Sequence, residues 1–244
     1  MNSIQKKNNN EMSFLPLFAT PLMQVQLDLD LEKLTELAFQ MQNKDKEGAL
    51  VSNRGGWQSN DISEEKHEEF IRLKKEIIKH LQIYQSKVFQ GMIFKKNIIQ
   101  YLNNMWVNIN EKHHYNDWHN HPMSTLSGSY YINHDGSKEH GDILFKHPNH
   151  AYMGTAHLPQ GLIKTPNEVT SGIITITPKP NMLIMFPAWL EHRVENNLKD
   201  DTRISLAFNS FLMNSNAYYH IDLFEQDNEN NNGTKENKTY KENT

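Results

Sequence analysis

From about residue 95 onward the chain stops repeating every three to four residues and starts repeating every two. Met105, Val107 and Ile109 alternate with Trp106, Asn108 and Asn110, and successive side chains of an extended strand point to opposite faces. Further short runs of strand character fall at Leu126–Ile132, Ile143–Lys146, Gly172–Thr177, Met182–Phe186 and Arg203–Phe211, separated by Pro, Gly and Asn. Many short strands with turn residues and no helices between them point to a sandwich or jelly roll. The connection from His147 to Ser171 is longer than a hairpin needs and suits a lid or insert.

Upstream the period is helical. Leu31, Leu34, Leu37 and Ala38 predict a helix over 30–43. Residues 44–60 read as a loop around Gly55-Gly56. Asp61 followed by Glu64 has the form of a capping box for a second helix over 62–90. Its stripe of Phe70, Leu73, Ile77, Leu81, Tyr84 and Val88 faces either the core or a second copy of the chain in a homodimer. The expected architecture is mainly β with flanking α-helices. A double-stranded β-helix (jelly roll, cupin-like) core over 95–224 is packed by an N-terminal strand and helices over 13–94. The polar ends, 1–12 and 225–244, are expected to be disordered, because they hold too little apolar surface to offset their ordering entropy.

Composition removes several kinds of chemistry. The chain has no Cys, which excludes disulfides, thiolate metal sites, iron–sulfur clusters and a cysteine nucleophile. With 25 basic and 29 acidic residues the formal charge is −4, so no nucleic-acid partner is expected. No stretch of about 18 apolar residues occurs, so no membrane span is expected. The apolar run Phe14–Leu27 is broken by Pro16 and Pro21 and lacks a signal peptide's form. A cytoplasmic protein is the expectation.

The histidines concentrate the chemistry that remains. Nine of the 13 lie between His113 and His157. His119 and His121 frame Asn120 just before a strand, where alternate residues deliver two imidazoles to one side. His192, after the strand Met182–Phe186, is the candidate third ligand of a facial metal triad at the mouth of the barrel. Phe186-Pro187-Ala188-Trp189 would set apolar bulk beside it. Arg203 opens the strand Arg203–Phe211 with Ser205 on the same face. A buried guanidinium needs a partner, and a ligand carboxylate would satisfy it; the plain alternative is an ion pair with Asp200 or Asp201. Asn108 and Asn110 are further candidates to line the site, and Arg54 and Trp57 to contact substrate. The remaining histidines, His113, His114, His134, His140, His147, His150 and His157, are expected in loops around the mouth.

The ordered set His119-x-His121, Tyr130-Tyr131-Ile132-Asn133, Gly141-Asp142-Ile143-Leu144, Phe186-Pro187-x-x-x-x-His192 and Arg203-x-Ser205 resembles the 2-oxoglutarate/Fe(II)-dependent oxygenases. It is most similar to their prolyl-hydroxylase-like branch. Within that it resembles a microbial and phage group with His-x-His-Pro followed by Leu-Ser-Gly, here His119-Asn-His121-Pro122 and Leu126-Ser127-Gly128. The likeness covers roughly residues 100–212 and reaches more loosely to Ser52-Asn53-x-Gly55-Gly56-Trp57-Gln58-Ser59. It implies Fe(II) held by His119, His121 and His192. It also implies 2-oxoglutarate anchored through its far carboxylate by Arg203, with Ser205 and Tyr131 as hydrogen-bonding partners. Molecular oxygen would be consumed and a C–H bond of a small-molecule or peptide substrate hydroxylated. The sequence departs from the family at His121, where most relatives carry Asp or Glu. Asp117, two residues before His119, could supply the missing carboxylate from the same face; alternatively His121 stands behind the direct ligands and the site uses two histidines only. A cupin-like metal protein, an isomerase or ligand binder that makes no use of 2-oxoglutarate, is the alternative function. Arg203 separates the two, because pairing to a protein acid would leave no seat for the cosubstrate.

Overall fold

The computed structural model describes residues 19–49, 51–88, 98–153, 164–165, 167 and 170–214. The polar ends and most of the long connection after His147 lie outside the described residues. Eleven strands and three α-helices are described: β1 (Met23–Gln26), α1 (Leu31–Lys44), β2 (Asn53–Arg54), β3 (Trp57–Gln58), α2 (Glu68–Val88), β4 (Ile98–Asn110), β5 (Tyr115–His119), β6 (Leu126–Asn133), β7 (Ile143–Lys146), α3 (His150–Met153), β8 (Ile173–Ile176), β9 (Met182–Pro187), β10 (His192–Val194) and β11 (Arg203–Asn214). They form two antiparallel sheets, a larger one in the order β1-β9-β6-β11-β4-β3 and a smaller one in the order β2-β5-β10-β7-β8. This is the expected jelly roll, with α1 and α2 packed on the larger sheet.

Two apolar layers follow from strand alternation. On β9, Leu183 and Met185 face the helices, while Ile184 and Phe186 face the smaller sheet. On β11, Ile204, Leu206 and Phe208 join Leu34, Leu37, Phe70, Leu73, Ile77, Leu81 and Tyr84 in the helix-facing layer. The apolar stripe of α2 is thus used inside the chain. The inter-sheet layer is smaller, built from Tyr131, Ile143, Phe145, Ile184, Phe186 and Leu190. The opposite face of β11 carries Arg203, Ser205 and Ala207, all bordering the cavity between the sheets.

Helix α1 begins where expected, with the Asp30 carboxylate accepting the Lys33 N–H at 2.9 Å. Helix α2 does not. It starts at Glu68, seven residues beyond Asp61, because Asp61 is recruited elsewhere. Its carboxylate accepts the Ser63 N–H at 2.9 Å and the Met105 N–H of β4 at 3.0 Å. The Ile62 N–H meanwhile donates to the Met105 carbonyl at 2.8 Å, so tertiary pairing overrides the local capping signal. No described helix is long and apolar enough to cross a membrane.

Candidate active site

Three short connections bring the metal-ligand candidates together. His119 ends β5 and lies directly opposite His192, which opens β10. His121 sits one residue beyond Asn120, in the turn, where its backbone N–H donates to the Ala188 carbonyl at 2.9 Å. The chain leaving β9 therefore fixes His121, while strand pairing fixes the other two. The ring centroids lie 4.3 Å apart for His119 and His192, 5.1 Å for His119 and His121, and 5.2 Å for His121 and His192. Ligand atoms of all three fall within 4.8 Å of one another.

Backbone carbonyls decide which ring nitrogens face inward. His119 Nδ1–H donates to the Asp117 carbonyl at 2.6 Å, and His192 Nδ1–H donates to the Leu190 carbonyl at 2.9 Å. Each Nε2 is then left with a bare lone pair, the arrangement that outer partners impose on metal-bound imidazoles. Among the described residues, no hydrogen bond reaches either ring nitrogen of His121. Burial pushes all three rings below their ordinary value; for His121 this reaches about 4, with His119 adding to the effect. All three are neutral at pH 7, as metal ligation requires. Phe186 closes one side of His192 at 4.6 Å between ring centroids, and Phe145 stands at 6.0 Å. Ala188 is buried there too, but Trp189 is 55% exposed and borders an outer cavity beside Asn120 and His147.

Asp117 does not supply a carboxylate to this trio. Its side chain is 55% exposed and lies 3.9 Å from Arg54. Its contribution is the backbone carbonyl that fixes the His119 tautomer. The ion pair weighed for Arg203 is also not formed: Asp200 pairs with Lys112 at 2.8 Å, and among the described residues no carboxylate pairs with Arg203.

Arg203 is instead buried at 1% exposure, with Nη1 donating to the carbonyls of His140 at 3.2 Å and Glu195 at 2.9 Å. Nη2 is buried without a partner, and so is the Tyr131 hydroxyl. Burial lowers Arg203 to about 10, which leaves it cationic at neutral pH, and burial raises Tyr131, which keeps its phenol a donor. An unpaired buried guanidinium is costly, and among the described residues no acceptor meets Nη2 or the Tyr131 hydroxyl. Arg203, Tyr131, Ser205 and the three histidines border one cavity, together with Asn108, Asn116 and Trp106.

Other candidates separate cleanly. Asn108 borders the cavity, whereas Asn110 donates to Asn53 Oδ1 at 2.7 Å and serves the fold. Trp57 is buried, with its indole N–H on the Asp45 carbonyl at 2.7 Å, so it is a packing residue here. Ser52, which opens the segment that the likeness reaches loosely and to which the sequence assigns no role, borders the cavity. His134 and His140 are not on the rim: they are buried at 1% and 0% exposure. His157 lies outside the described residues.

Residues 104–209 match the family model for 2OG-Fe(II) oxygenases. That segment contains all three histidines, Tyr131, Arg203 and Ser205. That segment is similar to the 2OG-Fe(II) oxygenases. No curated protein matches the chain in sequence. Among solved structures, the oxygenase fold is shared with a Pseudomonas putida prolyl-4-hydroxylase at TM-score 0.52 and 14% identity, covering 80% of this chain and 95% of that one. It is shared with the non-haem α-ketoglutarate-dependent epimerase SnoN from nogalamycin biosynthesis at TM-score 0.53 and 14% identity, covering 78% of each chain. A Trichoplax adhaerens prolyl hydroxylase, solved with a hypoxia inducible factor peptide fragment, aligns at TM-score 0.53 and 13% identity over 78% of this chain and 83% of that one. At such identities the likeness concerns the fold. The family match and the shared fold support a 2-oxoglutarate-dependent dioxygenase with iron and 2-oxoglutarate as its cofactors.

Proposed function

We propose that the protein hydroxylates a small-molecule or peptide substrate, with His119, His121 and His192 holding Fe(II) and Arg203 seating 2-oxoglutarate. The observation that carries this reading is the unpaired, buried Arg203 Nη2 in the same cavity as three neutral, convergent imidazoles. When bound, the iron and 2-oxoglutarate supply oxygen activation coupled to decarboxylation of the cosubstrate to succinate. The remaining work belongs to the chain. His119 and His192 present Nε2 in orientations fixed by backbone carbonyls. Arg203 and Tyr131 take the far carboxylate, with Ser205 beside them. Phe145 and Phe186 shield one side of the metal site from water, which strengthens the electrostatics there. Three imidazoles leave a divalent metal its full charge, unlike a set that includes a carboxylate, and they leave positions open for cosubstrate and oxygen.

A cupin-like protein that makes no use of 2-oxoglutarate would leave the Arg203–Tyr131 receptor without an occupant, and among the described residues no acid pairs with Arg203. The test is uncoupled turnover. Iron-loaded protein given 2-oxoglutarate and no substrate is expected to form succinate slowly, and Arg203→Met to form far less at the same subsaturating 2-oxoglutarate concentration. No succinate, together with no metal-dependent rise in thermal midpoint on adding 2-oxoglutarate, would contradict the reading. Substrates are then sought as peptides or small molecules that gain one oxygen in mass.

A further inference from the structure

The Arg203–Tyr131 receptor is held by a loop that the metal site does not touch. Arg203 Nη1 is aimed by two carbonyls, those of His140 and Glu195. The peptide at His140–Gly141 comes so close that a Cβ on Gly141 would overlap the Arg203 guanidinium, and Gly141 sits at φ +99°. Only glycine accepts both the contact and the angle.

The N–H of this peptide donates to the Lys138 carbonyl at 3.0 Å, and a pair of buried imidazoles braces the residues on either side. His134 Nδ1 accepts the Gly136 N–H at 3.0 Å, which leaves the proton on Nε2, and Nε2–H donates to the Gly141 carbonyl at 3.3 Å. His140 Nδ1 accepts the Asp135 N–H at 3.0 Å. The two rings stack at 4.9 Å and 30°, and the His134 ring meets Tyr131 edge-on at 5.8 Å. His134 therefore reaches both donors of the receptor, Tyr131 by ring contact and Arg203 through Gly141, whose own carbonyl His134 holds and which follows the His140 carbonyl that aims Nη1. These residues also form a second cluster of potential metal ligands with Asp135. It lacks free lone pairs: both Nδ1 atoms accept backbone N–H groups, and the Asp135 carboxylate is committed to Lys199 and Ser137.

We propose that His134 is a positioning residue for the cosubstrate carboxylate: it sets the aim of Arg203 and Tyr131 without touching metal or cosubstrate. This rests on the proposed role of Arg203. The test is calorimetric titration of 2-oxoglutarate into iron-loaded protein under argon, with iron affinity measured alongside. His134→Phe keeps the ring but removes both hydrogen bonds. His134→Asn keeps an acceptor for Gly136 but stops short of Gly141, whereas His134→Gln can reach the Gly141 carbonyl. The Asn and Phe variants are expected to bind 2-oxoglutarate about tenfold more weakly, the effect of one lost hydrogen bond. Iron affinity is expected to stay unchanged, and Gln to restore most of the loss. Should the Phe variant not fold, the Asn and Gln pair carries the comparison. Equal 2-oxoglutarate affinity in Asn, Gln and wild type, or a parallel fall in iron affinity, would overturn the proposal. Arg203→Met binding 2-oxoglutarate as tightly as wild type would instead overturn the cosubstrate reading on which it rests.

Discussion

Two clusters in this protein each gather potential metal ligands, three histidines in one and two histidines with an aspartate in the other, and they differ in chemistry. His119, His121 and His192 bring ligand atoms within 4.8 Å of one another, and so do His134, Asp135 and His140. In the first, His119 and His192 donate from Nδ1 to carbonyls, so each Nε2 keeps a free lone pair. In the second, His134 and His140 accept backbone N–H groups at Nδ1, so the lone pair is used and the proton sits on Nε2. The backbone group that meets Nδ1 decides whether a histidine can bind metal. Clustering does not.

The largest expected effect tests that contrast directly. His119→Ala and His192→Ala should each weaken iron binding by more than about 100-fold, since losing only a ligand's orienting partner costs about 10- to 100-fold. His140→Gln should hold iron within a few-fold of wild type. Iron content after desalting reads both, and equal losses from the two clusters would break the distinction. Next in size, Arg203→Met should weaken 2-oxoglutarate binding by roughly 10- to 100-fold, the range for a hydrogen bond to a charged group, with iron affinity preserved.

A pH effect follows from the second cluster. Burial holds His134 at about 4 against an ordinary 6.5. Between those values the unfolded chain takes up a proton that the folded one refuses, so stability is lost as pH falls from about 6.5 towards 4. At pH 5 this amounts to about 2 kcal/mol at most. Urea unfolding of metal-free His134→Gln at pH 7 and pH 5 should show a shallower loss than wild type; an identical loss would remove His134 as its source. The smallest effect concerns His121, whose ring has no hydrogen bond among the described residues. His121→Asp should keep iron within about tenfold of wild type, because a carboxylate is also a good ligand for this metal geometry. His121→Ala should cost less than His192→Ala, as titration with iron would report.

The strands that carry apolar alternation were legible in the sequence, from Met105–Asn110 through Arg203–Phe211, because burial on one face writes a two-residue rhythm. The strands β5 and β10 were not. They span only Tyr115–His119 and His192–Val194, and their inward positions carry polar ligands in place of apolar residues. His119 and His192 were found through spacing and resemblance, although their direct pairing across β5 and β10 was not. The start of α2 misled for a different reason: Asp61 and Glu64 form a local helix-start pattern, but Met105 of β4 claims the Asp61 carboxylate. His134 and His140 read as rim histidines because loop position says nothing of burial. Telling a ligand from a brace requires knowing which backbone group approaches Nδ1, and that is set by tertiary contacts.

The account stands on where the metal and the carboxylate sit, and an anomalous-scattering map of crystals soaked with Fe(II) and 2-oxoglutarate under argon would locate both. It should show one iron peak within bonding distance of His119, His121 and His192, and the far carboxylate of 2-oxoglutarate against Arg203 and Tyr131. An iron peak at His134 and His140, or a cosubstrate carboxylate seated away from Arg203, would contradict it.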